Sequence, residues 1–230
     1  MTLTFSSLRS LLRPRLLVFA LACAALCVPA GLRAQSAQFQ DSPALRPPAG
    51  ARVAIVEFDD LECPACAHAN PLLMQAAAKY HIPWIRHDFL IPYHQWSRNA
   101  AIRARWFDEK SPALGDDYRN EVFANQSSIY NLNMLIEFTQ QFAQKHGVAL
   151  PFSVDPEGKL ASKIEADKAL GDRIGIHLTP TIFIVTNNPT TPWIWVQNPD
   201  TDLFADIDRA MAISHPVAAA HAAHHATHKH

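Results

Sequence analysis

The chain has 230 residues, a length that suits one domain with tails. Hydrophobic residues make up 49% and charged residues 18%, with a formal net charge of -1, so a packed core is affordable. A polybasic nucleic-acid binder and a highly charged disordered chain are excluded as defaults. The cysteines number four, too few for a disulfide-dense scaffold, so their positions matter more than their count.

The N-terminus carries Arg9, Arg13 and Arg15 and no acid, then an apolar run from Leu16 to about Val28, then small residues ending at Ala34. That order describes a secretory signal over residues 1–34, cut after Ala34 or, in competition, after Ala30. An uncleaved anchor is the alternative, because Leu16 to Leu32 lies at the short limit for a membrane span. Residues 1–34 hold four Arg and no Asp or Glu, so the remainder carries a net charge of -5. It retains only Cys63 and Cys66, and export places them in a periplasmic or secreted setting where disulfides persist.

Residues 35–50 read as a polar, Pro-containing lead-in that buries little. Arg52 to Phe58 is a short β-rich apolar run and reads as a buried strand. Pro64 to Tyr80 reads as a helix, with Leu72, Leu73, Ala76 and Tyr80 on its apolar stripe and Pro64 in the first turn. Trp84 to Ile91 is a second strand. Three helical segments follow: Ser97 to Asp108, Leu132 to Lys145 and Glu157 to Ile174. Thr181 to Thr186 and Trp193 to Gln197 read as strands, and Leu203 to Ile213 as a closing helix. The order is that of a mixed sheet flanked by helices, with a helical insertion at about 92–175. His215 to His230 holds six of the twelve histidines among alanines and reads as a disordered tail. Its imidazoles suit Zn, Cu or Ni, which leaves metal binding open as an alternative use.

Cys63-Pro64-Ala65-Cys66 lies between a strand and a helix. Free N–H groups and the positive end of the helix dipole favour a thiolate on Cys63. Thiols so placed titrate at about 3.5 to 7.5, below the free value of about 8.5. Cys63 is therefore the candidate nucleophile, and Cys66, one turn in, the resolving thiol of a redox-active disulfide. A zinc site needs further ligands, and His68 alone is a poor supplement. Covalent haem attachment needs a histidine where Ala67 stands. A purely structural disulfide closes too small a loop to stabilise much.

Three features together resemble the thioredoxin superfamily: Glu57-Phe58 before the cysteines, Cys-Pro-Ala-Cys itself, and Thr179-Pro180-Thr181 before a strand. The DsbA-like branch fits best, since 112 residues lie between Cys66 and Thr179, room for a helical insertion. The resemblance covers roughly residues 51–214 and implies an α/β thioredoxin-like fold, with the insertion between the CxxC half and the Thr-Pro half. It implies that Pro180 is cis and faces the CxxC turn, and that Thr179 binds an extended substrate peptide. It implies that Glu57 moves the proton of Cys66; a carboxyl in an apolar strand has a raised pKa, which suits that work. The sequence departs from the strongest oxidants in having Pro-Ala between the cysteines and Thr before the proline.

The expectation is an exported protein-disulfide oxidoreductase, acting as a dithiol oxidase on protein substrates and reoxidised by a membrane redox partner. No organic cofactor, metal or nucleic acid is implied. A disulfide reductase or isomerase fed by a membrane electron donor is the first alternative. A metal-binding or delivery protein using the His-rich tail is the second. The short stretch between the expected cut and the first strand leaves no room for an isomerase dimerisation domain, so a monomer is expected.

Overall fold

The computed structural model describes residues 39–216. The expected signal, the first residues of the lead-in and the tail beyond residue 216 lie outside the described residues.

The central strand β1 (Val53–Asp59) is buried along its whole length. It pairs in parallel with β2 (Trp84–Asp88) and antiparallel with β3 (Thr181–Thr186), which in turn pairs antiparallel with β4 (Trp193–Val196). The resulting order is β2-β1-β3-β4. Burial on both faces explains why β1 and β3 read as continuous apolar runs, whereas the edge strand β4 alternates.

Helix α1 (Pro64–Tyr80) connects β1 to β2, and α6 (Pro199–Ile213) closes the chain. Both pack on one face of the sheet: Ala69, Leu73 and Ala76 meet Val53 and Ile55, and Leu203, Ile207 and Ala210 complete that core. Between β2 and β3 lie α2 (Ser97–Asp108), α3 (Pro112–Asn125), α4 (Leu132–Lys145) and α5 (Lys159–Ile174). This block has its own core of Ala100, Phe107, Tyr118, Val122, Leu135 and Phe142, and Cys63 and Cys66 belong to the same cluster. The cysteines thus sit on the seam between sheet and helical block.

Four helices and strands have the bounds the sequence suggests. The other expected elements are present with ends shifted by a few residues. Two segments differ in kind. Helix α3 was not expected as an element: its buried face carries Arg119 beside Tyr118 and Val122, and that charge interrupts the apolar stripe. Ser111 caps it, accepting a hydrogen bond from the Leu114 N–H at 3.1 Å. The lead-in also departs from the expectation that it buries little. Pro43–Leu45 forms a single 3-10 turn capped by Ser42, and Leu45 is fully buried. The Gln40 N–H donates to the Ile174 carbonyl at 2.8 Å. One leucine set among polar residues and prolines gives no period to read.

Gly171 allows α5 to approach the sheet: a Cβ there would stand 2.4 Å from Cδ2 of Phe89, itself buried. Gly171→Ala would gain about 0.5–1 kcal/mol of helix propensity. The overpacking costs about 1–3 kcal/mol and wins. The variant is expected to melt several degrees below the wild type in a thermal scan; an unchanged or higher Tm would show that Phe89 moves aside freely.

Candidate active site

The site is built where β1 ends and α1 begins. Cys63 is the N-cap of α1, Pro64 occupies the first helical position, and Cys66 lies fully buried one turn on. Both are free thiols in this structure. The turn leading to them is clamped from several sides. The Cys63 N–H donates to the Asp60 carbonyl at 2.9 Å. The Asp60 carboxylate accepts from the N–H groups of Glu62 and Ile91, each at 2.8 Å. Glu62 Oε2 accepts from the N–H groups of Trp96 and Ser97 at 2.6 and 2.9 Å, where α2 begins. Gln126 Nε2, just beyond α3, donates to the carbonyls of Leu61 and Cys63 at 2.9 and 3.1 Å. The helical block therefore grips the CxxC turn through its backbone.

Thr179 and Pro180 lie beside this turn although 116 residues separate Thr179 from Cys63. Their peptide bond is cis. The Cys63 Sγ donates to the Thr179 carbonyl at 3.4 Å. Pro64 and Ala65, next to Cys63 in the chain, are exposed, as is Leu178, next to Thr179. The structure thus brings Cys63, Cys66, Thr179 and Pro180 together, as the sequence suggests.

The two thiols feel opposite fields. A hydrogen bond with the Cys66 side chain, assisted by Thr179 and by the backbone N–H groups of Cys66 and Ala65, outweighs burial and draws Cys63 down to about 5. Burial first, then the hydrogen bond to Cys63 and the negative charges of Glu57 and Asp59, push Cys66 well above the usual thiol range. His68 is engaged elsewhere: its Nε2 lies 2.9 Å from Asp200 on α6, in an exposed pair.

Behind Cys66, Glu57 is 1% exposed. The Trp84 indole Nε1–H donates to its Oε2 at 3.0 Å. Burial, and then the neighbouring Asp59, raise its carboxyl well above the usual range. Asp59, also buried, is raised chiefly by its own burial. Asp59, Asp60, Glu62, Arg86 and Gln126 were not singled out in the sequence. For Asp59 a signal existed: it stands two residues after Glu57 on a strand, hence on the same face. Gln126 reaches the turn only through the fold, and no local pattern marks it. Among the described residues no group of three or more His, Cys, Asp or Glu is placed to hold a metal ion.

The profile of the family described as Thioredoxin matches residues 48–192, and the chain belongs to that family. No curated protein matches the sequence. Solved structures share the fold. α-DsbA1 of Wolbachia pipientis is 18% identical, with a TM-score of 0.56 over 76% of this chain and 92% of that one. Oxidised BdbD of Bacillus subtilis is 20% identical, with a TM-score of 0.57 over 75% of this chain and 94% of its own. A periplasmic thioredoxin-like protein of Salmonella enterica serovar Typhimurium is 23% identical, with a TM-score of 0.55 over 77% and 95%. The fold is therefore thioredoxin-like and DsbA-like, with the helical block between the two halves of the site.

Alkylation of the reduced protein with iodoacetamide should show one reactive thiol, Cys63, with a midpoint near pH 5, while Cys66 stays silent through neutral pH. The same shift links to stability. A folded-state thiol held below its unfolded value of about 8.5 contributes fully above that value and loses its contribution as pH falls through the folded one. The Tm advantage of the reduced wild type over Cys63→Ser should be largest above about pH 8.5 and shrink as pH falls through about 5. A pH-independent gap would show that Cys63 titrates as an ordinary thiol.

Proposed function

We propose that this chain is an exported thiol:disulfide oxidoreductase that donates its Cys63–Cys66 disulfide to protein substrates. The observation that carries the reading is the opposed placement of the two sulfurs, Cys63 at a helix N-terminus with its pKa drawn to about 5 and Cys66 buried with its pKa raised. A stabilised Cys63 thiolate favours the reduced enzyme, and so favours passing the disulfide on.

A substrate thiolate attacks Cys63 Sγ, the Cys63–Cys66 bond breaks, and Cys66 leaves. Cys66 is fully buried, so its proton comes from within the protein, and Glu57 is the carboxyl the resemblance assigns to it. A second substrate thiolate then attacks the substrate sulfur of the mixed disulfide, and Cys63 leaves as a thiolate. Thr179 and Pro180, half-buried beside Cys63, form the wall against which an extended substrate segment lies. The basic start, apolar run and small residues of positions 1–34 support export, where protein dithiols are the natural substrates and a membrane redox partner restores the disulfide.

Equilibration in glutathione buffers tests the direction. A potential between about -120 and -180 mV supports an oxidase or isomerase, whereas one near about -270 mV reassigns the protein as a reductase. Cys66→Ser should trap mixed disulfides with substrate proteins, because the Cys63 thiolate still attacks a substrate disulfide and the thiol that would release it is gone. Absence of any covalent adduct on mass spectrometry, with Cys63 still reactive toward iodoacetamide, would count against a protein substrate.

A further inference from the structure

Glu57 has a second carboxyl for a neighbour, and the charges around them do not balance. Glu57 and Asp59 stand two residues apart on β1 and so point to the same face, opposite Phe58. Across the parallel ladder Glu57 is level with Arg86 and Asp59 with Asp88 on β2. All of these groups except Arg86 are at least 97% buried, and the Arg86 side chain is 7% exposed.

The cations of this pocket are largely committed elsewhere. Arg119 of α3 forms a bidentate pair with Asp108 of α2, at 2.7 and 2.6 Å. Arg105 of α2 binds Asp88 at 2.6 Å and Asp167 of α5 at 2.5 Å. Asp167 also meets the His87 ring at 2.8 Å. That leaves Arg86. Its Nη2 donates to the amide oxygens of Asn70 on α1 and Asn120 on α3, at 3.0 and 2.9 Å. Its Nη1 lies 4.0 Å from Asp116 of α3, a carboxylate that is 61% exposed. Asp60, the remaining acid beside Asp59, is occupied by two backbone N–H groups and lies 2.9 Å from the His94 ring. Glu57 and Asp59 are thus two buried carboxyls that both feel Arg86, while Arg119, which also acts on Asp59, is paired with Asp108.

The orphaned atoms agree with this count. Glu57 Oε1 and Asp59 Oδ2 are buried without a hydrogen-bond partner, as are Nε and Nη1 of Arg86. Two buried carboxylates facing one cation carry a net charge that burial strongly disfavours, and adding one proton removes it. Cys66 is close enough that its thiol feels the negative charge of both acids.

We propose that Glu57 and Asp59 hold a single proton in common opposite Arg86, and that this shared proton is the one exchanged with Cys66. The inference rests on the disulfide-exchange reading and deepens it. When a substrate thiolate attacks Cys63, the Cys63–Cys66 bond breaks and its electron pair goes to Cys66. Cys66 takes the proton from the Glu57–Asp59 pair, which regains one from solvent. When the second substrate thiolate displaces Cys63, the substrate dithiol has lost two electrons and two protons. The enzyme has gained the two electrons and one proton, and the other proton is in solvent. The reverse passage deprotonates Cys66 onto the pair. Asp59 makes the pair a base whose protonation belongs to neither acid alone, as in other carboxyl dyads.

Carbon-13 titration of the reduced wild-type protein, labelled at the Asp and Glu side-chain carboxyls, tests the sharing directly. Glu57 Cδ and Asp59 Cγ are expected to report the same pH steps, each nucleus moving in both. Asp59 Cγ holding its ionised shift throughout, while Glu57 Cδ completes its titration, would place the proton on Glu57 alone and overturn the proposal. The kinetic consequence is read in stopped-flow reduction of the oxidised protein by glutathione at pH 7. General acid catalysis contributes about 100-fold or more, and either carboxyl alone retains part of it, so Asp59→Asn and Glu57→Gln should each slow reduction about tenfold. The double variant should fall by more than the product of the two, since each acid substitutes for the other. Cys63 alkylation and the circular dichroism spectrum check that each variant keeps its nucleophile and fold. An Asp59→Asn protein reduced at the wild-type rate overturns the role of Asp59. A wild-type protein that exchanges no disulfide with glutathione overturns the functional reading instead, and the titration still decides whether the proton is shared.

Discussion

Two sulfurs one helical turn apart are held in opposite electrostatic conditions, and the rest of the molecule serves that difference. Cys63 needs helix N–H groups and access to a partner; Cys66 needs burial and nearby negative charge. A single helix satisfies both only if its first turn lies across the end of a central strand that carries acids on the face beneath it. β1 meets that need with Glu57 and Asp59, and β2 keeps the acids tolerable with Arg86. Buried charge of this kind is poor evidence for stability, because desolvation offsets much of the attraction. Its presence under a reactive sulfur is better explained by what it does to the proton on that sulfur.

The helical block has two duties here. It buries the far side of the cysteines, through a core that includes Phe107, Tyr118 and Phe142. It also supplies Arg105, which neutralises Asp88 at the edge of the sheet, and Arg119, which pairs with Asp108 of α2, so that Arg86 is left for the inner pair. The same block places Asn120 against Arg86 through a helix that reads poorly as one.

Much of this was legible in the sequence because it is local. Strand-then-CxxC-then-helix and Thr-Pro-then-strand are short patterns, and their residues meet as the spacing suggests. Helix α2 announces itself with Ala100, Ala101, Ala104 and Phe107 on one face. What stayed hidden depends on distant partners. Arg119 looks like a break in an apolar stripe until Asp108 stands beside it. Glu62 looks like a surface acid until α2 begins on its carboxylate. Asp59 looks like one of several acids near a strand end until Asp88, Arg86 and Cys66 surround it. Leu45 shows no period, and only the packed chain reveals that it is core. Propensity and periodicity describe neighbours along the chain, whereas these roles are set by neighbours across it.

Glu62 and Gln126 tie the start of α2 and the end of α3 to the backbone of the cysteine turn. The two anchor points set apart the part of the helical block that holds the cysteine turn from the part that does not. Drift along a lineage meets different penalties in the two zones. Changes at Glu62 or Gln126 remove side-chain ties to the turn that carries Cys63. The exposed stretch around Phe152, between α4 and α5, touches none of these ties and is free to diverge. One cysteine turn can therefore be presented beneath many different outer surfaces, the surface being remodelled while the turn is left alone.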